Sequence, residues 1–156
     1  MSVRPTAAIL VAPGTNRDRD VALALNLAGA DSVVVSITDL ERDANVINTA
    51  QMIVIAGGFS FADALGSGHV FALELEMLLG DRLQQAVGDG RPIIGICNGF
   101  QTLVRMGLLS SGAGAMALDH NEHGLFDCRW VTLQPSSEKC VWTQGIQDNI
   151  ECPIAH

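Results

Sequence analysis

Short unbroken apolar runs punctuate this chain, and stretches with helical spacing lie between them. Ala7 to Val11 is the first run, closed by Pro13-Gly14, and it predicts a buried strand followed by a loop. Asn16 and Asp18 then offer N-caps for a helix to about Ala28, with Val21, Ala24, Leu25 and Ala28 on one face and Gly29 just past its end. Ser32 to Ile37, with the β-branched Val33-Val34-Val35, and Met52 to Ala56 predict a second and third strand. His69 to Leu79 reads as a helix with Phe71, Leu75 and Leu78 inward; Gly80-Asp81 interrupts it, and another helix runs to about Val87. Gly88-Asp89-Gly90 leads into a fourth run, Ile93 to Ile96, after which Phe100, Leu103 and Val104 set a helical pattern that Gly107 stops. Ser110 to Ala115 reads as a flexible loop. Leu125 to Leu133 has strand character, with Phe126, Cys128 and Trp130 on one face and Asp127 and Arg129 on the other. Gly145 to Pro153 is polar and poorly patterned.

Strands apolar on both faces and separated by helices are the mark of a mainly parallel sheet covered on both sides. The expected class is therefore α/β, with its chemistry in the loops at the sheet end. The length, 156 residues, suits a single domain, and no internal repeat or second domain is evident. No apolar run is long enough for a membrane span, and Met1 to Pro5 leads straight into a strand without a signal-peptide pattern, so the default address is cytoplasmic. A net charge of −8 and a pI of 4.7 argue against nucleic acid as a partner. Cys97, Cys128, Cys140 and Cys152 form no C-x-x-C pair, so zinc and thioredoxin chemistry are not indicated and free thiols are expected.

The informative stretch is Arg91 to Gln101. The run Ile93 to Ile96 ends at Cys97 and a helix begins at once, with Gly95 and Gly99 two residues to either side. This is the layout of a nucleophile elbow, in which a reactive side chain sits on a strained turn above the sheet edge. The new helix would aim its free N–H groups and positive dipole end at the sulfur, favouring negative charge there. The spacing alone also fits an inert cysteine at the end of a buried strand. Upstream, Gly57-Gly58 at the end of the third run could present backbone N–H groups to a ligand or form an ordinary turn. Asp63 and Ser67 fit either a pocket or, better, the cap of the next helix.

Three strings extend this reading: Gly95-Ile96-Cys97-Asn98-Gly99-Phe100-Gln101, Gly57-Gly58-Phe59-Ser60-Phe61-Ala62-Asp63, and Asp119-His120-Asn121 followed by Phe126 to Val131. Together they resemble the class I glutamine amidotransferases, and among them the PurQ-type glutaminase components of phosphoribosylformylglycinamidine synthase, over Ile9 to His156. The resemblance implies a flavodoxin-like fold and a thiolate attack by Cys97 on the side-chain amide of glutamine. The Gly58 and Asn98 N–H groups would form the oxyanion hole, and Gln101, Phe59 and Asn121 would lie beside the substrate. It implies no metal, nucleotide or other cofactor in this domain. ATP and magnesium would belong to a synthetase subunit or domain that receives the ammonia, with or without a small bridging subunit. The acidic surface and Asn16 to Arg19 are candidates for docking that partner.

The family's catalytic histidine and its carboxylate lie beyond the stretch matching His156, so the chain reads as a glutaminase domain incomplete at its C-terminus and little active by itself. Among its histidines, His120 and His123 have only generic metal spacing, and His156 is expected to be frayed. Two alternatives are a PfpI-like cysteine hydrolase, against which Asn98 stands where that group has histidine, and a non-catalytic assembly module.

Overall fold

The computed structural model describes residues 3–109 and 116–156, so the loop expected over Ser110 to Ala115 lies outside the described residues. The chain divides into two compact units, Met1–Leu118 and Asp119–His156.

The first unit is a doubly covered parallel sheet. Strands β1 (Thr6–Val11), β2 (Asp31–Ser36), β3 (Met52–Ile55) and β4 (Ile93–Gly95) run in the order β2-β1-β3-β4. Every pairing is parallel, with Ile9 between Val34 and Val54, and Val54 beside Ile94. Alternation along β1 sends Ala8 and Leu10 to one face, where they meet Ile53, Ile55 and the helix α3 (His69–Gly88) through Phe71, Leu75, Leu79 and Leu83. Ala7 and Ile9 go to the other face, with Val54, Ala56 and Val21 of α1 (Asp18–Leu27). Ala7 to Leu10 are all fully buried, as a central strand with helices on both faces requires. Each buried Leu, Ile or Phe in these clusters contributes about 1.5–3 kcal/mol. The expected α/β class is the observed one.

Four local expectations are corrected. The N-cap of α1 is Arg17, without a side-chain capping bond, rather than Asn16 or Asp18; Asp18 and Asp20 lie in the first turn, where they suit the dipole. Gly29 does close that helix, its N–H reaching Asn26 O while Ala30 N–H reaches Leu25 O. Strand β2 is at the sheet edge, so Val33 and Val34 are exposed and Val35 alone of the three is buried; Ile37, assigned to the strand, starts a helix instead. Helix α3 runs unbroken through Gly80. A lone glycine costs a helix about 1 kcal/mol relative to alanine, and the apolar face continuing through Leu79, Leu83 and Ala86 outweighs it. Finally, α3 is preceded by Gly68 at φ +69, so neither Asp63 nor Ser67 caps it.

The helix α2 (Ile37–Arg42) was not anticipated, although its start carries a legible signal. Ser36 Oγ accepts from Asp39 N–H at 3.2 Å, and the Asp39 carboxylate accepts from Ser36 N–H at 2.9 Å and Ser36 Oγ at 2.6 Å. The Ser36 hydroxyl and then its N–H hold the Asp39 carboxyl below its ordinary value. A group with a depressed folded-state pKa adds stability above its unfolded value, near pH 4, and loses it as pH falls through the folded value. Ser36→Ala is therefore expected to destabilise by about 1 kcal/mol at neutral pH, a Tm drop of about 2–4 °C. Thermal melts at descending pH should show that difference narrowing in acid.

The second unit is a two-stranded antiparallel sheet of β5 (Cys128–Leu133) and β6 (Ile150–Ala155), with Trp130 opposite Pro153. The strand expected from Leu125 begins at Cys128, and β6 starts within the stretch read as unpatterned and takes up its last part. Its Pro153 disguised it; a two-stranded sheet consists of edges only, where proline is tolerated. His156 is not frayed at its backbone, since Asp127 N–H donates to His156 O at 2.6 Å and His156 N–H to Asp127 O at 2.9 Å. The Arg129 guanidinium at 2.9 Å holds the Asp127 carboxyl below its ordinary range. No helix among the described residues is long and apolar enough to cross a membrane.

Candidate active site

The sheet delivers β4 to a sharp turn at Cys97, whose backbone has φ +54 and ψ −113, and α4 (Asn98–Arg105) starts at the next residue. Such a conformation costs a residue with a Cβ on the order of 1–3 kcal/mol and persists only where its surroundings impose it. The neighbours here do impose it. Ile96 N–H bonds Ile55 O at 3.1 Å, Gly99 N–H bonds Ile96 O at 2.9 Å, and Gln101 N–H bonds Cys97 O at 3.1 Å. A Cβ on Gly95 would stand 2.4 Å from Gly99 O, and one on Gly99 would stand 2.0 Å from Ile55 O. Both glycines are thus required by backbone approach. The Cys97 side chain is exposed, at the N-terminus of α4.

The loop after β3 packs against this elbow. A Cβ on Gly57 would lie 3.2 Å from Cys97 Cβ and 3.0 Å from Ile96 O. Gly58 has φ +129 and pairs with Thr15 in an isolated bridge; the hydrogen bond of that bridge runs from Phe59 N–H to Gly14 O at 3.1 Å. Gly58 N–H is thus not spent there. Asn98 N–H is the first of α4, one of the amides a helix leaves without an intrahelical acceptor. Asn98 N–H thus adjoins the exposed sulfur, and Gly58 N–H belongs to the loop whose Gly57 packs against the elbow. Phe59 is exposed, and Gln101 is half-buried one helical turn beyond Cys97.

The loop also holds Asn98 by its side chain. Asn98 is 2% exposed and Ser60 4%. Ser60 Oγ donates to Asn98 Oδ1, and Asn98 Nδ2 donates to Asp63 Oδ1 at 2.6 Å. Thr102, fully buried, donates its hydroxyl to Asn98 O at 3.0 Å. To make these contacts the chain takes Phe61, Ala62 and Asp63 through φ of +51, +53 and +54. A left-handed backbone costs roughly 1–2 kcal/mol per residue with a Cβ. Ser60 and Asp63 stood within the quoted sequence string, but a cap and a tertiary clamp cannot be told apart without knowing which side chain lies opposite.

His69, the histidine of the first unit, contacts Arg105 Nη1 through Nδ1 at 3.4 Å, while Arg105 Nε donates to Ser67 O at 2.8 Å. In the second unit, Asn121 Nδ2 donates to Leu125 O at 2.8 Å and His156 O at 3.1 Å, tying the ends of that unit together. His123 Nδ1 accepts from Leu125 N–H at 3.2 Å. Among the described residues no group of three or more His, Cys, Asp or Glu side chains is placed to hold a metal ion.

The likeness to known proteins follows these features. Residues 4–156 match the family described as CobB/CobQ-like glutamine amidotransferase domain. The phosphoribosylformylglycinamidine synthase subunit PurQ of Treponema denticola is 43% identical over 99% of this chain and 62% of its own length. That of Dehalococcoides mccartyi is 39% identical over 95% of this chain and 59% of its own. The chain thus spans about 60% of the length of these curated relatives. Among solved structures, PurLQS from Thermotoga maritima contains a chain superposing with a TM-score of 0.81 at 35% identity, over 99% of this chain and 67% of that one. With its parallel sheet, its cysteine elbow and a match over nearly its full length, this chain belongs to the CobB/CobQ-like glutamine amidotransferase family.

Proposed function

We propose that this chain supplies the nucleophile and oxyanion hole of a glutaminase serving phosphoribosylformylglycinamidine synthesis. The observation that supports it most is the strained Cys97 elbow with the Gly57-Gly58 loop packed against it. Cys97 Sγ attacks the side-chain carbonyl carbon of glutamine, and the oxygen takes up negative charge between Gly58 N–H and Asn98 N–H. Each such donor contributes about 3 kcal/mol to the transition state. As the intermediate collapses, the carbon–nitrogen bond breaks, ammonia leaves with the proton that the thiol gave up to solvent, and a γ-glutamyl thioester remains for water to hydrolyse. Gln101 and Phe59, beside the elbow, flank the substrate. The His69 imidazole lies against the Arg105 guanidinium and is given no part as base.

In this reading the two compact units form one glutaminase domain, which needs no cofactor of its own and works in the cytoplasm. The ammonia passes to a synthetase partner, where ATP and magnesium drive amidine formation, with or without a small bridging subunit. The test is incubation of the chain with labelled glutamine, followed by acid quench and peptide mass mapping. A γ-glutamyl adduct on Cys97, absent from Cys97→Ala, is expected. Glutamate release that persists in Cys97→Ala, or an adduct on another cysteine alone, overturns the proposal.

A further inference from the structure

One hole amide, Gly58 N–H, and the clamp on the other, Asn98, come from the same loop. The Asn98 backbone N–H opens α4 beside the sulfur, and its carboxamide is buried and held at both ends by Ser60 and Asp63. With Oδ1 accepting and Nδ2 donating, the carboxamide has a single orientation available. Thr102 fixes the Asn98 carbonyl as well. The backbone of Asn98 is thereby held on three sides, and its N–H is held with it. A loop serving only to connect β3 to α3 has no need of three consecutive left-handed residues. The one polar side chain that those residues carry, Asp63, goes to Asn98 rather than to the end of α3.

We infer that Ser60 and Asp63 are positioning residues, which set the Asn98 N–H in the oxyanion hole by clamping the Asn98 carboxamide. The inference rests on the glutaminase reading. It requires that the clamp act on reactions that develop an oxyanion and not on those that only need an accessible thiol.

Two reactions of the whole chain separate those cases. In the first, γ-glutamyl p-nitroanilide acylates Cys97: the sulfur–carbon bond forms, the carbon–nitrogen bond breaks, and p-nitroaniline departs with a proton from solvent. Its stoichiometric burst reads the hole. In the second, iodoacetamide alkylates Cys97 by direct displacement of iodide, with no oxyanion. Asp63→Ala is expected to slow the burst about 100-fold, the loss typical of a catalytic group displaced by about an ångström, and to leave alkylation of Cys97 unchanged. Asp63→Asn, which keeps an acceptor oxygen for Asn98 Nδ2, should recover most of the burst, and Ser60→Ala should follow Asp63→Ala.

A burst unaffected by Asp63→Ala, or a burst and alkylation that fall together, overturns the inference. Hydrogen exchange of the Asn98 carboxamide, followed by NMR, reports the clamp without reference to catalysis. Slow exchange in the unsubstituted chain and fast exchange in Asp63→Ala are expected; equal rates overturn the clamp itself. If the unsubstituted chain gives no Cys97-dependent burst while this exchange difference stands, the glutaminase reading fails, the positioning role falls with it, and the clamp is structural.

Discussion

Cys97→Ala is expected to abolish acylation of this chain by glutamine, a loss of roughly 1,000-fold or more in rate, while leaving a second thiol open to ordinary alkylation. That second thiol is Cys140. A hydrogen bond with the Thr143 side chain, then one with the Trp142 backbone, holds its sulfur below the ordinary thiol value. Between the depressed value and the ordinary one, Cys140 carries more thiolate than an unperturbed cysteine, and thiolate is what alkylating agents attack. Iodoacetamide near neutral pH should therefore modify Cys140 in both Cys97→Ala and the unsubstituted chain. Acylation discriminates where alkylation does not, because attack on an amide requires the tetrahedral oxygen to be stabilised as it forms. In the proposed site Asn98 N–H adjoins Cys97 and Gly58 lies in the loop packed on the elbow, and a lowered thiol pKa does not substitute for such donors. Cys140→Ala should thus lose its own alkylation and keep the acyl adduct at Cys97. Mass mapping after each reagent checks both halves, and an acyl adduct on Cys140 in Cys97→Ala would show that acylation here follows thiolate content and not the hole.

The elbow was legible in the sequence because its requirements are local. Gly95 and Gly99 stand where a Cβ would collide with backbone, so a short string of residue types records the geometry directly. The central strands were legible because Ala7 to Leu10 and Ile53 to Ile55 are buried on both faces, which leaves no polar alternation to confuse them. What depends on distant neighbours was not legible. Val33 and Val34 have the same residue type as Val35, and only the edge position of β2 decides that they face solvent. Gly80 looks like a break until the buried Leu79 and Leu83 on either side show what holds the helix together. Asp63 has the spacing of a cap; its partner, Asn98, is 35 residues away. The strand β6 is exposed for most of its length and contains a proline, so neither hydropathy nor propensity marks it.

Gly99→Ala should be among the most destabilising single-atom additions in this chain. An alanine Cβ there would lie 2.0 Å from Ile55 O and 2.7 Å from Ile55 C, both backbone atoms of the sheet, which have no side-chain freedom with which to yield. Relief requires α4 to lift from β3, and with it Asn98 from its clamp. Overpacking against rigid neighbours costs about 1–3 kcal/mol or more, and the backbone collision places Gly99→Ala at or above the top of that range. Gly88→Ala is the natural control. It adds the same methyl at the end of α3, where nothing lies within 4 Å. A helical glycine replaced by alanine gains about 0.4–1 kcal/mol where the conformation permits. Gly29→Ala separates strain from collision: its surroundings are equally open, but its φ of +89 disfavours any Cβ. Urea midpoints should therefore rank Gly88→Ala highest, the unsubstituted chain next, Gly29→Ala below it and Gly99→Ala last. Gly99→Ala melting with Gly29→Ala would mean that α4 yields at little cost, and the elbow would then be held by its hydrogen bonds more than by the close approach of its glycines.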